Sequence, residues 1–170
     1  MLEHDHWRIE PASTAADLAA VAALFRSYAA SLEVDLAYQD FARELQDLPG
    51  TYAPPLGALL LARNRDGRPG GCVALRPLGG QLRAEMKRLY VAPNGRGAGL
   101  GKRLAQAAIA TAAQIGYREI VLDTLPSMAA AQALYRRLGF EVMEPYYATP
   151  IAGTLFMRLT LANTDGAGAS

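Results

Sequence analysis

A glycine-rich segment flanked by cations is the most chemically suggestive part of this 170-residue sequence. Arg96–Lys102 reads RGAGLGK; it follows the strand-like run Met86–Ala92 and opens the helix-like run Leu100–Ile115. Glycines let successive backbone N–H groups point at one centre, and the start of a helix adds the positive end of its dipole. The segment therefore predicts an anion site, and we expect a phosphorylated ligand there.

Three kinds of glycine loop compete for this segment. The dinucleotide pattern GxGxxG fails, because the sixth position counted from each candidate first glycine is Leu or Lys. The P-loop pattern fails because Arg96 stands where its first glycine is required, and Arg103 stands where Ser or Thr is required. The third pattern, Arg-x-x-Gly-x-Gly, is met by Arg96, Gly99 and Gly101.

The third pattern resembles the acetyl-CoA pyrophosphate loop of the GNAT N-acetyltransferase superfamily, as does the wider stretch 85–104. A second stretch, Ala130–Phe140, is similar to that superfamily's signature Ala-x-x-Leu-Tyr-x-x-x-Gly-Phe. The resemblance covers roughly residues 7–161 and implies acetyl transfer from acetyl-CoA to an amine in a ternary complex. Two alternatives stay open: an acyl-CoA-binding sensor without catalysis on the same fold, and an enzyme of nucleotide phosphates.

The resemblance also implies how acetyl-CoA is held. Backbone N–H groups of the loop would bind the pyrophosphate, and a strand before it would bond the pantetheine amides. Ser127 stands near the start of the second motif, where the family's usual Asn is missing. The implied cofactor-binding residues are Leu89, Tyr90, Val91, Arg96, Gly97, Ala98, Gly99, Leu100, Gly101, Lys102 and Ser127. The alternative for the Arg96 and Lys102 side chains is solvated surface charge.

Catalysis requires a polarised thioester carbonyl, a deprotonated amine and a proton donor for the departing thiolate. By resemblance, Tyr135 is the general acid, and the backbone N–H of Leu89 or Val91 polarises the carbonyl. Glu85 is the first candidate for the base, acting through water because a carboxylate and an ammonium are mismatched in pKa. Asp123, at the end of a strand, is the second candidate. The alternatives are that Tyr135 is a core residue and that Glu85 pairs with a neighbouring cation in its strand.

The acceptor site is less well specified. In the superfamily the acceptor lies between the first two helices and the last β-hairpin, which here implies 32–39, 52–56 and 146–151. Glu33 could attract an ammonium group, and Tyr146 and Tyr147 could form an aromatic wall. The mixed character of these segments favours a small-molecule amine or an amino-acid-like acceptor over a polyamine.

Composition narrows the class of protein. A formal net charge of +1 gives no support for a nucleic-acid or membrane-surface partner, and no apolar run is long enough to span a membrane. The single cysteine, Cys72, and the absence of a signal-peptide pattern favour a cytoplasmic protein. His4 and His6 have the spacing of metal ligands, but no further ligands follow, so no metal is predicted. The sequence leaves the oligomeric state open, and a homodimer is common on this fold.

The elements that must position these residues alternate between strand-like and helix-like patterns. The predicted order is β, α, α, β, β, β, α, β, α, β, β, with the first two helices at 15–32 and 36–48. In the strand at 82–91 the period-two alternation of apolar residues slips once near Lys87 and Arg88, which predicts a β-bulge. We therefore expect one α/β (α+β) domain over 1–162, with a mixed, mostly antiparallel sheet of six to seven strands. We also expect helices on both faces of this sheet, a splay at strand 82–91 and a disordered tail at 163–170.

Overall fold

The computed structural model describes residues 6–79 and 82–162. The strands of this part of the chain are β1 (Arg8–Pro11), β2 (Ala58–Arg63), β3 (Pro69–Pro77), β4 (Arg83–Val91), β5 (Glu119–Thr124), β6 (Glu141–Met143) and β7 (Leu155–Thr160). Its α-helices are α1 (Ala15–Ser31), α2 (Phe41–Asp47), α3 (Leu100–Ile115) and α4 (Ala129–Arg137). Short 3₁₀ turns lie at Leu36–Gln39, Gly50–Tyr52 and Pro93–Gly95.

The strands form a single sheet in the order β1-β2-β3-β4-β5-β7-β6. Every neighbouring pair is antiparallel except β4 and β5, which are parallel and joined by α3 as the crossover helix. This parallel pairing is short: Arg83–Glu85 pairs with Glu119–Val121, and beyond Glu85 the two strands separate. The predicted fold class, including the mixed sheet splayed at its central strand, is confirmed.

Apolar residues cover both faces of the sheet. On one face Leu60 and Val73 pack in a core with Leu104 of α3, and on the other Leu61 packs with Phe25 of α1. Strands buried on both faces carry continuous apolar runs instead of strict alternation, as β2 and β3 do. The helices therefore lie on both sides of the sheet, as predicted.

The predicted β-bulge is present in β4. Cys72 pairs with Tyr90 and Ala74 pairs with Lys87, so β4 contains one residue more than β3 across this interval. Arg88 has a φ of 61°, a left-handed conformation that a residue with a side chain rarely adopts. The Arg88 carbonyl accepts a hydrogen bond from the buried Cys72 thiol at 3.4 Å, and burial raises the pKa of that thiol.

Helix α1 begins with a side-chain cap. Thr14 is its N-cap: the Thr14 hydroxyl accepts from the Asp17 N–H at 3.1 Å, and Asp17 accepts from the Thr14 N–H at 3.2 Å. This reciprocal pair is a capping box, and an N-cap residue contributes about 1 kcal/mol.

The prediction of a single helix over 36–48 is wrong. Asp40 has a φ of 56° and separates the 3₁₀ turn Leu36–Gln39 from α2. Aspartate tolerates this left-handed conformation better than most residues, and Asp35 stabilises the turn by accepting from the Ala37 N–H at 2.9 Å. The break matters for the site, because Gln39 before it and Glu44 after it both contact β4.

A serine just before a helix is a candidate N-cap, but Ser127 does not cap the helix of the second motif. Met128 is the N-cap of α4, and no side-chain cap bond is made there. The chain turns instead through a hydrogen bond from the Met128 N–H to the Leu125 carbonyl, which also accepts from the Gln132 amide at 2.9 Å. Ser127 is left exposed in this turn.

The predicted tail 163–170 and His4 lie outside the described residues. Over residues 6–79 and 82–162, the helices are too short or too polar to cross a membrane.

Candidate active site

The glycine-rich segment presents unpaired backbone donors. The first backbone hydrogen bond of α3 runs from the Arg103 N–H to the Gly99 carbonyl at 3.2 Å, so the preceding N–H groups have no partner within the helix. Gly97 and Gly99 have φ values of 88° and 68°, which turn the chain sharply before α3. Arg96 and Lys102 are exposed, and neither forms an ion pair with another described residue. The segment therefore offers backbone N–H donors and two cations that are not paired with other described residues.

An open groove of about 590 Å³ runs beside this segment. It is bordered by the C-terminal end of α1, the end of β4 and the start of α4. Six of the predicted cofactor-binding residues line it: Leu89, Tyr90, Val91, Arg96, Gly101 and Ser127. The remaining loop residues Gly97, Ala98, Gly99, Leu100 and Lys102 do not line it, and the Leu100 side chain is buried in the core.

The splay of the sheet gives the groove its backbone donors and acceptors. Because β4 pairs with β5 only as far as Glu85, Leu89–Val91 has no partner strand on that edge. On the opposite edge Tyr90 and Val91 still pair with β3, which holds the segment in extended form. An extended segment with one free edge can bond an amide-containing ligand as a further strand would.

A smaller cavity of about 30 Å³ adjoins the groove and contains the predicted general acid. Three residues, Tyr28, Leu89 and Met128, line both spaces. Tyr135 is only 6% exposed and packs edge-on against Phe140, with ring centroids 5.6 Å apart. Burial raises the pKa of Tyr135, so its hydroxyl stays protonated and remains a hydrogen-bond donor at neutral pH.

The structure separates the two base candidates. Asp123 lines the cavity with Tyr135, and Glu85 does not. Glu85 is 1% exposed and forms an ion pair with Arg76 at 2.7 Å, while its other carboxylate oxygen accepts from the Tyr146 hydroxyl at 2.5 Å. Of the two neighbouring cations in β4, Arg83 pairs with Glu119, and the Lys87 ammonium is 4.0 Å from the Glu85 carboxylate.

Tyr146 and Tyr147, the predicted aromatic wall, pack together and contact both carboxylates, although neither ring lines the cavity. The rings of Tyr146 and Tyr147 pack against each other at 5.6 Å and both pack against Phe156. The Tyr146 hydroxyl donates to Glu85 and the Tyr147 hydroxyl donates to Asp123. The pKa of both tyrosines is raised, first by burial and then by these carboxylates, so both hydroxyls stay protonated.

Glu33 does not join this wall. It is exposed and lines the groove with the cofactor-binding residues, so the structure does not bring the three predicted acceptor residues together.

Sequence reasoning missed a set of polar side chains that enter the cavity from two elements. Lys87 and Arg88 come from the bulge of β4, and Gln39 comes from the turn before α2. The Gln39 amide oxygen accepts from Lys87 at 3.1 Å and from Arg88 at 2.9 Å, while its nitrogen is 3.4 Å from Asp123. The available signal was a pair of adjacent cations, Lys87 and Arg88, at the point where the apolar alternation of β4 slips. Among the described residues, no group of three or more His, Cys, Asp or Glu side chains could hold a metal ion.

Comparisons with known proteins identify the family of this chain. The family model for the acetyltransferase (GNAT) family matches residues 19–140. An uncharacterised N-acetyltransferase of Schizosaccharomyces pombe is 41% identical over 139 residues, which are 82% of this chain and 85% of that protein.

Solved structures show the same fold. A GNAT-family acetyltransferase of Staphylococcus aureus has a TM-score of 0.76 at 20% identity, covering 92% of this chain and 99% of that one. A phosphinothricin acetyltransferase of Sinorhizobium meliloti, solved in complex with acetyl-CoA, has a TM-score of 0.69 at 20% identity, covering 91% and 88%. With its matching family model, its sheet and its groove, the chain belongs to the acetyltransferase (GNAT) family.

Proposed function

We propose that this protein transfers an acetyl group from acetyl-CoA to the primary amine of a small-molecule or amino-acid-like acceptor, by direct attack in a ternary complex. The observation that carries the proposal is the junction between the groove and the cavity. Tyr28, Leu89 and Met128 line both spaces, so a ligand in the groove can present its reactive end to Tyr135 and Asp123.

The polar groups around the groove are of the kinds that acetyl-CoA would need. Unpaired N–H groups of the glycine-rich segment suit the pyrophosphate, with Arg96 and Lys102 near enough in sequence to add charge. The free edge of Leu89–Val91 suits the amides of the pantetheine arm, and one of its N–H groups would polarise the thioester carbonyl. Acetyl-CoA supplies the acetyl group as an activated thioester, and the relative from Sinorhizobium meliloti was solved with this compound.

The transfer step balances in atoms and charge. The acceptor ammonium loses a proton to Asp123, directly or through one water, and the freed nitrogen attacks the thioester carbon. A C–N bond forms, the C–S bond breaks, and the sulfur leaves with the bonding pair. The amide nitrogen releases its second proton as the leaving thiolate gains one, so each turnover releases one proton overall.

The role of Tyr135 follows from its environment. Because its pKa is raised by burial, full proton transfer to a thiolate is unfavourable at the start of C–S cleavage. A protonated hydroxyl in the cavity instead stabilises developing negative charge on sulfur through a hydrogen bond.

An amine screen tests the proposal. Release of free CoA from acetyl-CoA is measured with a panel of amines and amino acids, for the wild type and for Tyr135→Phe. We expect turnover with at least one acceptor and a 10- to 100-fold lower kcat in the variant. Tyr117→Phe is the matched control, because that tyrosine is also buried but its hydroxyl donates to the Leu56 carbonyl, outside both spaces.

Two results would contradict the proposal in different ways. Binding of acetyl-CoA without CoA release from any amine would indicate a sensor. Unchanged turnover in Tyr135→Phe would remove that residue from the mechanism.

A further inference from the structure

Lys87 is a buried cation with incomplete pairing. Its side chain is 6% exposed, and within the described residues its ammonium makes one hydrogen bond, to the Gln39 amide oxygen at 3.1 Å. The nearest carboxylate, Glu85, is 4.0 Å away and is held more closely by Arg76 at 2.7 Å. An ammonium group has three N–H donors, so Lys87 retains donors for another acceptor. Desolvation lowers the pKa of Lys87, and a bound anion would offset that cost.

The charges around Lys87 are otherwise matched in pairs. Arg88 is bonded to both carboxylate oxygens of Glu44, at 2.9 and 3.2 Å, and Glu85 is paired with Arg76. On the wall of the cavity, this leaves Asp123 without an ion pair and Lys87 with only a 4.0 Å contact to a carboxylate that Arg76 already holds. A ligand that carries one positive and one negative group would complement them.

The Gln39 side chain lies between these two charges. Its oxygen faces the cations, and its nitrogen faces Asp123 at 3.4 Å. The neutral amide thus has the polarity that a zwitterion would have in the same place, with its acceptor end toward Lys87 and its donor end toward Asp123. With Gln39 in position the cavity holds about 30 Å³, room for about two water molecules and not for an acceptor.

A second unpartnered group lines the same cavity. The Thr124 hydroxyl is buried and has no hydrogen-bond partner among the described residues. A buried hydroxyl without a partner costs free energy, and a polar ligand group would remove that cost.

We propose that the acceptor is an α-amino acid, whose carboxylate binds Lys87 and whose amine lies at Asp123, in the space that the Gln39 side chain occupies. This inference rests on the proposed acetyl transfer and identifies Lys87 as the residue that selects acceptors with a carboxylate beside the amine. The amine then lies at Asp123, in the cavity that contains Tyr135, where it must lose its proton.

Matched acceptors test this selectivity on the wild-type protein. CoA release is measured with the standard L-amino acids, with their carboxamides and with the corresponding decarboxylated amines. For at least one amino acid we expect kcat/KM to exceed that of its carboxamide and of its decarboxylated amine by at least tenfold. Equal turnover of decarboxylated amines would overturn the inference and leave acetyl transfer intact. No CoA release with any compound would contradict the proposed function itself.

A variant assigns the selectivity to Lys87. In Lys87→Met we expect the KM for the amino acid to rise at least tenfold, the preference over the decarboxylated amine to disappear, and the KM for acetyl-CoA to stay unchanged. Arg65→Met, which removes an exposed cation from the turn between β2 and β3, is the control and should keep the preference. A Lys87→Met enzyme that keeps the preference would overturn the assignment. If that variant does not fold, Gln39→Ala provides the second measurement: a lower KM for the amino acid is expected, and a higher one would contradict the displacement of Gln39.

Discussion

The two carboxylates beside the cavity differ in how fully their oxygens are used. Glu85 accepts from Arg76 on one oxygen and from Tyr146 on the other. Asp123 receives Tyr147 and Gln39 on Oδ2, and its Oδ1 makes no hydrogen bond within the described part of the chain. A general base needs a free lone pair within reach of the proton that it removes. This requirement favours Asp123 over Glu85 as the base.

Exchange of each carboxylate for its amide distinguishes the candidates. Asp123→Asn should lower kcat by roughly 10²- to 10⁴-fold, the usual contribution of general base catalysis, with little change in the KM for acetyl-CoA. Glu85→Gln should lower kcat far less while reducing the thermal midpoint, because it leaves the Arg76 cation without its partner. The two variants control for each other in steady-state assays on protein shown to be folded. A larger loss of kcat in a folded Glu85→Gln protein would make Glu85 the base.

The sequence predicts site residues that belong to a motif or to the end of a strand, but not those brought together by long-range contacts. Tyr135 is found through its motif, and Asp123 through its place at the end of a strand. Gln39 and Lys87 are separated by 48 residues, and Gln39 lies in the 3₁₀ turn that ends at Asp40, before α2. A local pattern contains no signal for such a contact.

Among the elements, the segment before α3 depends on backbone conformation alone. Gly97 and Gly99 both have positive φ, and a Cβ at either position would meet no atom within 4 Å. An alanine there would be strained by roughly 1–2 kcal/mol without any clash. The expected response is a shift of the loop away from the conformation that aims its N–H groups at an anion.

Gly97→Ala and Gly99→Ala test this dependence. Both should raise the KM for acetyl-CoA by roughly five- to tenfold, the equivalent of about 1–1.4 kcal/mol, and should change kcat less. Gly67→Ala is the matched control, since Gly67 also has a positive φ, of 80°, and open space around its Cβ, but lies between β2 and β3. It should lower the urea midpoint similarly and leave the KM unchanged. An equal rise of KM in the control would show that the effect is general destabilisation.

The sequence predicts elements well where a local pattern determines them. The bulge follows from one slip in the alternation of β4, and the start of α1 follows from Thr14. The break at Asp40 and the start of α4 have no such local pattern. The break is a left-handed residue between a 3₁₀ turn and α2, and α4 begins at a turn without a side-chain cap. The apolar spacing of 36–48 is compatible with either one helix or two.

At the scale of the whole molecule, the groove lies where α1, β4 and α4 meet. The end of α1 and β4 border one side of it, and the start of α4 borders the other. Helix α1 packs on one face of the sheet and α4 on the other, and β4 and β5 make no ladder bonds beyond Glu85 between them. A ligand in the groove therefore contacts elements from both cores, and its binding should stabilise the native state as a whole.

Thermal unfolding with ligands tests this coupling and the identity of the ligand together. Binding to the native state alone adds about 2.7 kcal/mol at a concentration of 100 times Kd, which for a chain of this size raises the Tm by roughly 5–10 °C. We expect acetyl-CoA to produce such a shift and ATP or NAD to produce much smaller ones, because they lack the pantetheine arm that the free edge of Leu89–Val91 suits. Gly99→Ala should require a higher concentration of acetyl-CoA for the same shift, whereas Gly67→Ala should not. A larger shift with ATP or NAD than with acetyl-CoA would make the groove a nucleotide-phosphate site and contradict acetyl transfer.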